Sequence, residues 1–240
     1  FISAFLILRA LLTGKEKYCL RLSEIRFDKR KADGILKIGI PSAFQYSLFA
    51  FANLFVQSSV NSFDHVLVEG NSAAANADPL VYDMMAAFYT ACSSFIAQNF
   101  GARKKKRILQ TYLICLFYSF ITSLVLGVGI YLARYPFLYL FTSDKAVVEA
   151  GITRLSIMAL SYSASAFMDA SIAASRGLGK TAVPTFVVVM GSCVFRIIWI
   201  YTIFAYFHTI QSLYILYVFS WGITAIAENI YFFHVYRHTL

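Results

Sequence analysis

Six apolar windows of about 20 residues or more recur along the 240-residue chain, at residues 35–60, 66–97, 108–133, 147–175, 182–207 and 212–235. A helix needs about 20 apolar residues to cross a bilayer. In hydrocarbon every backbone polar group must be bonded within the protein, so only helices and closed barrels span. Barrel strands would read as alternating segments of about 10 residues, and no sustained alternation is present. The fold class read from the sequence is therefore an all-α membrane protein with six transmembrane helices. Composition agrees: 59% of residues are hydrophobic and 14% charged, against about 25% charged in a soluble domain.

The basic residues orient the spans. Seventeen of the 21 Lys and Arg fall in alternate connectors: residues 9–37, the run Arg103–Arg107, Arg176 with Lys180, and Arg237. The other connectors hold Arg134 and Lys145, while Arg154 and Arg196 lie inside spans. Cytoplasmic loops carry the Lys/Arg excess, so the basic side is expected to be cytoplasmic, with both ends of the chain there. The net charge of +9 thus marks orientation beside anionic lipid, not a nucleic-acid partner. The opening apolar run, residues 1–12, is too short to span. It has no basic segment before it and no small-residue cleavage site after it, so a signal peptide is not expected. It reads as the end of a preceding transmembrane helix, and the sequence as part of a longer chain.

The four cysteines (Cys19, Cys92, Cys115, Cys193) and four histidines (His65, His208, His234, His238) are scattered, with no Cys-x-x-Cys. No metal site, redox pair or disulfide framework is expected. Gly179-Lys180-Thr181 lacks the spacing and the preceding strand of a phosphate loop. No Ser/His, Asp/Asp or His-rich set of catalytic spacing faces across the spans, so an enzyme is not expected.

Five motifs stand in order: "LKIGIPSAF" from Leu36, "GNSAAANAD" from Gly70, "AQNFGARKKKR" from Ala97, "YLFTSDKAVVEAG" from Tyr139 and "RGLGKTAVP" from Arg176. Together they resemble the second half of a multidrug and toxic compound extrusion (MATE) transporter. The resemblance implies a twelve-helix antiporter with two six-helix lobes around a central cavity. Residues 1–12 would end helix six, 13–34 would be the basic connector, and 35–240 the C-terminal lobe, helices seven to twelve. The motifs also have local physical sense. Pro41 is tolerated at a helix start, Thr142, Ser143 and Asp144 suit a helix cap, and Gly177 and Gly179 suit a tight turn.

Polar groups inside the spans are costly and point to function. Gln45, Asn53, Gln57 and Asn61 fall on one four-residue series, with Phe49 filling the gap, and so share a helix face. That stripe reads equally as a substrate-binding cavity wall or as interhelical hydrogen bonding. The second span carries Asp78, Tyr82, Asp83 and Tyr89; Asp78 precedes Pro79, which should kink the helix. Broken helices of this kind hold ions and substrates in transporters. Glu69 lies near the outer end and reads as solvated. In the fourth span Tyr162, Ser165 and Asp169 share a face, and Asp169 lies about 9 Å from the inner end. Arg196 in the fifth span and Glu228 in the sixth are close enough in depth that pairing of Arg196 with an acid is one reading, and binding or gating the other.

The resemblance implies exchange of Na+ or H+ for bulky, often cationic, amphiphilic compounds, with no cofactor. One branch of the family has a Glu and an Asp where this sequence has Phe49 and Ser165, so the sodium site built on them is not matched. Asp169 is an acid one turn further on. The expected coupling residues are Asp169, Asp78 and Asp83. The expected cavity residues are Gln45, Asn53, Gln57, Asn61, Tyr82, Tyr89, Tyr162 and Arg196. Expected partners are the lipid bilayer, small amphiphilic substrates and the N-terminal lobe of the same chain, in the cell membrane. Two alternatives stand: a lipid-linked glycan flippase, which would want cavity arginines, and the permease part of an ATP-driven transporter.

Overall fold

The computed structural model describes residues 2–13, 20 and 26–238. Residues 14–19 and 21–25 lie outside the described residues, and with them Lys15, Lys17, Arg21 and Cys19. The chain divides into two units, the first ending at Gly39 and the second beginning at Ile40. In the first, α1 (Ile2–Thr13) is a short apolar helix, and the N–H of Leu20 donates to the carbonyl of Leu11 at 2.8 Å. α2 (Lys29–Val60) starts earlier than its apolar pattern. The carboxylate of Asp28 accepts from the N–H groups of Arg30 and Lys31 at 2.9 and 3.3 Å, capping a turn of basic residues ahead of the apolar ones. Pro41 is therefore well inside α2, not at its start.

The second unit holds the remaining helices. The second span is split into α3 (His65–Ala75) and α4 (Ala77–Gly101). α5 (Lys105–Leu132) is the third span, and a single-turn-and-a-half helix, α6 (Arg134–Tyr139), precedes α7 (Lys145–Gly177). The fifth span, Ala182–Phe207, runs through α8 (Ala182–Val188), α9 (Phe195–Trp199) and α10 (Ala205–Phe207), separated by π-helical turns at Val189–Val194 and Ile200–Phe204. α11 (Ile210–His238) is the sixth. All six spans are long and apolar enough to cross a membrane.

α7 is the axis of this unit: α3, α4, α5 and α11 all pack on it. Its sequence explains that place. Ala, Ser and Gly dominate its second half (Ala159–Gly177), and small residues let helix backbones approach where lipid supplies no hydrophobic drive between helices. α5 is the opposite case. Its large apolar residues Leu113, Ile114, Phe117 and Val125 are exposed, as suits a helix facing lipid. The Tyr112 hydroxyl on α5 donates to Asn229 Oδ1 of α11 at 2.5 Å and lies 3.0 Å from Ser171 Oγ of α7, tying three helices in the core.

The connectors follow the sequence signals. Asp144 accepts from the N–H of Ala146 at 2.8 Å, and Thr142 Oγ1 accepts from the N–H of Asp144 at 3.2 Å, so this segment caps α7 as its residue types suggest. Gly179 has φ +74°, a conformation that costs other residues. Gly177 serves close packing instead: a Cβ there would meet Ile96 Cγ2 and the Ser93 carbonyl at 2.8 Å. The basic ends come together, since Lys105 Nζ donates to the carbonyl of Arg237 at 3.1 Å.

Candidate functional site

The second span breaks two residues before Pro79. Pro79 cannot donate to the carbonyl four residues back, and the chain responds by starting a new helix at Ala77. The side chain of Asn76 donates to the carbonyls of Ser72 and Ala73, both at 3.1 Å, and so covers the break. Asp78 is left free to turn inward from the first turn of α4. Arg154 Nη2, on α7, donates to its Oδ2 at 2.6 Å, and the Tyr162 hydroxyl to its Oδ1 at 2.5 Å. Arg154 Nη1 also donates to Asn71 Oδ1 at 2.7 Å. Asp78 thus pairs with two side chains of α7.

Beside this pair lies a cavity of about 560 Å³ between α2, α3, α4, α7 and α11, within the size range of sites for small organic ligands. Of the expected cavity residues Gln45, Asn53, Gln57, Tyr82 and Tyr89 line it, and so do Asp78 and Asp169 of the expected coupling residues. Met85, Met158, Met168, Tyr217 and Trp221 are among the residues of its apolar wall. Flexible thioethers and broad rings accommodate varied apolar shapes. Asp169 faces the cavity seven residues before Arg176 on α7; among the described residues no hydrogen-bond donor reaches its carboxylate. Arg176 is held elsewhere. Its Nη1 donates to the Tyr89 hydroxyl of α4 at 2.5 Å and its Nη2 to Gln45 Oε1 of α2 at 2.9 Å.

Four expected site residues lie off the cavity wall. Asp83 is exposed on α4; five residues from Asp78 is about 140° around a helix, so it points away. Asn61 lies just past the end of α2 at Val60 and accepts from Gln57 Nε2 at 2.9 Å. Tyr162 is buried behind Asp78, acting through its hydroxyl. Arg196 is fully buried (0% exposed). Its guanidinium lies 4.6 Å from the ring centres of both Phe49 and Tyr217, Nη1 donates to Asn53 Oδ1 at 2.7 Å, and Nε to Ser220 Oγ at 3.3 Å. A buried guanidinium sandwiched by aromatic faces is stabilised by their quadrupoles. Arg196 therefore pairs with an amide and two rings, and not with Glu228. In the amide stripe of α2, Gln45 and Asn53 accept hydrogen bonds from arginines and also line the cavity.

Arg154 is the residue that the sequence pattern underused. A lone Arg inside a span has to find an acid, and Asp78 was available on the neighbouring span. Arg176 is the second: it read as a turn residue, but its side chain returns to bridge α7, α4 and α2.

Six helices long and apolar enough to cross a membrane define the class, a multi-pass membrane protein, with a cavity lined by both polar and apolar side chains. The MatE family model matches residues 41–202, and the chain belongs to that family. Among curated proteins none matches. Solved structures share the fold. A MOP superfamily transporter from Pyrococcus furiosus is 18% identical at a TM-score of 0.88, covering 99% of this chain and 54% of that one. A MATE protein in a straight conformation is 17% identical at 0.89, with the same coverage. A mutant of a Vibrio cholerae MATE transporter is 18% identical at 0.80, covering 99% and 52%. The chain therefore spans about half the length of the transporters it matches.

Proposed function

We propose that this chain forms the C-terminal lobe, helices seven to twelve, of a cation-coupled antiporter that exports bulky amphiphilic cations by alternating access. The basic connectors face the cytoplasm, by the positive-inside bias, and the other half of the cavity comes from the N-terminal lobe. One observation carries the reading: among the described residues, Asp169 is the carboxylate on the cavity wall that no hydrogen-bond donor reaches. Asp78 and Arg154 cancel each other there, and Arg176 and Arg196 are withdrawn into bonds with Gln45, Tyr89, Asn53 and Ser220. A wall with one open carboxylate, aromatic rings and methionines suits a cation with an apolar body. Either the substrate or the coupling ion occupies Asp169, so each displaces the other.

The flippase reading needs cavity arginines for phosphates, and these arginines are already occupied. The test is dye uptake into everted vesicles that hold the full-length protein. An imposed Na+ or H+ gradient should drive uptake of a cationic dye. No gradient-driven uptake of any cationic dye would overturn the proposal.

A further inference from the structure

A groove of about 560 Å³ opens between α7 and α11, lined on α7 by Ser163 and Phe167 and on α11 by Gly222, Ile226, Asn229 and Ile230. It shares no lining residue with the central cavity. Ser163 and Phe167 stand two residues either side of the cavity residue Ser165, and a two-residue step turns a helix by about 200°. The groove therefore opens on the far side of α7. Its polar groups are satisfied within the protein. Ser163 Oγ donates to the Leu160 carbonyl at 2.6 Å. Asn229 Nδ2 donates to the Ala225 carbonyl at 2.8 Å, and its Oδ1 accepts from the Tyr112 hydroxyl. Ile226 and Ile230 are exposed along its edge, so the groove offers an apolar wall.

One end of this groove leads to charge. Steps of three or four residues keep to one helix face, and Gly222, Ile226, Ile230, Phe233 and Arg237 follow such steps along α11. At the Arg237 end α5 closes on α11. The Tyr112 ring meets the Phe233 ring edge-on at 6.0 Å. Lys105 Nζ donates to the Arg237 carbonyl at 3.1 Å and lies 5.3 Å from the centre of the Tyr236 ring. Lys105 belongs to the basic run Arg103–Arg107, and neither residues 97–110 nor residues 229–238 contain an acid. Basic pockets between membrane helices bind anionic lipid headgroups. We propose that the groove holds one acyl chain of an anionic phospholipid whose phosphate sits at Lys105 and Arg237.

The dimensions fit that occupant. Along α11 the groove lies about 10 to 22 Å from Arg237, the depth of one leaflet's chains in a hydrocarbon core of about 30 Å. The exposed Phe233 bridges the gap between the headgroup and the groove. An apolar chain with a negative head matches both parts, whereas a zwitterionic head gains less from the two cations. Bound there, the chain braces the central helix α7 on the side away from its cavity residues. The site belongs to the lobe itself and stands whichever compound or ion the cavity carries.

The test is native mass spectrometry of the full-length protein in detergent, titrated with phosphatidylglycerol and, separately, with phosphatidylcholine of the same chains. Wild type should retain one phosphatidylglycerol about tenfold more tightly than phosphatidylcholine. Lys105→Gln combined with Arg237→Gln should bring phosphatidylglycerol down to the phosphatidylcholine level. Gly222→Leu fills the groove and should weaken retention of both lipids; a Cβ at Gly222 meets no atom within 4 Å, so the helices need not move. Ile226→Gln, at an exposed position, probes the groove again in case Gly222→Leu lowers the unfolding temperature without added lipid. Equal retention of the two lipids by wild type overturns the proposal. So does a preference that survives the double charge variant. Retention unchanged by both groove variants overturns it as well, since that describes a headgroup held at the surface with no chain in the groove.

Discussion

Asp78 and Arg154 meet at 2.6 Å across the break in the second span, with 8% and 25% of the arginine and aspartate side chains exposed. The pair joins a helix start to the middle of the central helix α7. It removes one acid and one base from the cavity's charge, and Asp169 remains as a carboxylate on the wall that no hydrogen-bond donor reaches among the described residues.

Breaking that pair should be costly. Removing one partner of a buried ion pair costs about 3–5 kcal/mol. Arg154→Met is therefore expected to lower the thermal unfolding temperature of the detergent-purified protein clearly. Adding Asp78→Asn to it should restore much of the loss. A single variant as stable as wild type would show the pair to be of no structural account.

Asp169→Asn is expected to reduce gradient-driven efflux far more than Glu69→Gln. Glu69 pairs at most with His65 at 3.4 Å and half its side chain is exposed, whereas Asp169 faces the cavity. Dye efflux from cells expressing each variant at matched levels decides. Equal activities would remove Asp169 from the mechanism.

Gln57 and Asn53 stand one turn apart on the same wall, yet their leucine variants should behave differently. Gln57 bonds to the neighbouring Asn61, so Gln57→Leu should change which compounds are exported and leave the fold alone. Asn53→Leu strips a buried arginine of an acceptor, which costs about 1–3 kcal/mol. Export profiles and thermal unfolding of both variants separate the two roles.

The two glycines of the Arg-Gly turn should differ in kind. Gly177→Ala drives a methyl group into Ile96 and the Ser93 carbonyl, and overpacking of this sort costs about 1–3 kcal/mol. Gly179→Ala meets no atom but must hold φ +74°, a cost of about 1 kcal/mol. Gly177→Ala is thus expected to lower expression and unfolding temperature more. The reverse order would show that α4 and α7 separate here at little cost.

Most of the scaffold was legible in the sequence, because bilayer crossing demands length and apolarity that a short window reveals. The break before Pro79 and the Asp144 cap were legible too, each being a local backbone need. What sequence spacing could not show was azimuth. Asp78 and Asp83 look alike on paper, yet a five-residue step turns one into the bundle and the other out of it. Nor does spacing name partners across spans: Asp78 finds Arg154 and Arg176 finds Gln45, pairings that depend on which helices are neighbours. Asp169, Gln45, Gln57, Tyr82 and Tyr89 reach the cavity because they sit on faces that pack around it, and Arg196 misses it because its own face turns behind Asn53.

The fifth span has one more consequence. A π-helical turn absorbs a surplus residue with poorer hydrogen-bond geometry than the α-helix around it. Two such turns bracket Phe195–Trp199, the five residues that carry Arg196. Each surplus residue turns the helix face that follows it by roughly 100°, so the first turn sets the side on which Arg196 meets Asn53 and Ser220, and the second sets the side on which the span runs out towards His208.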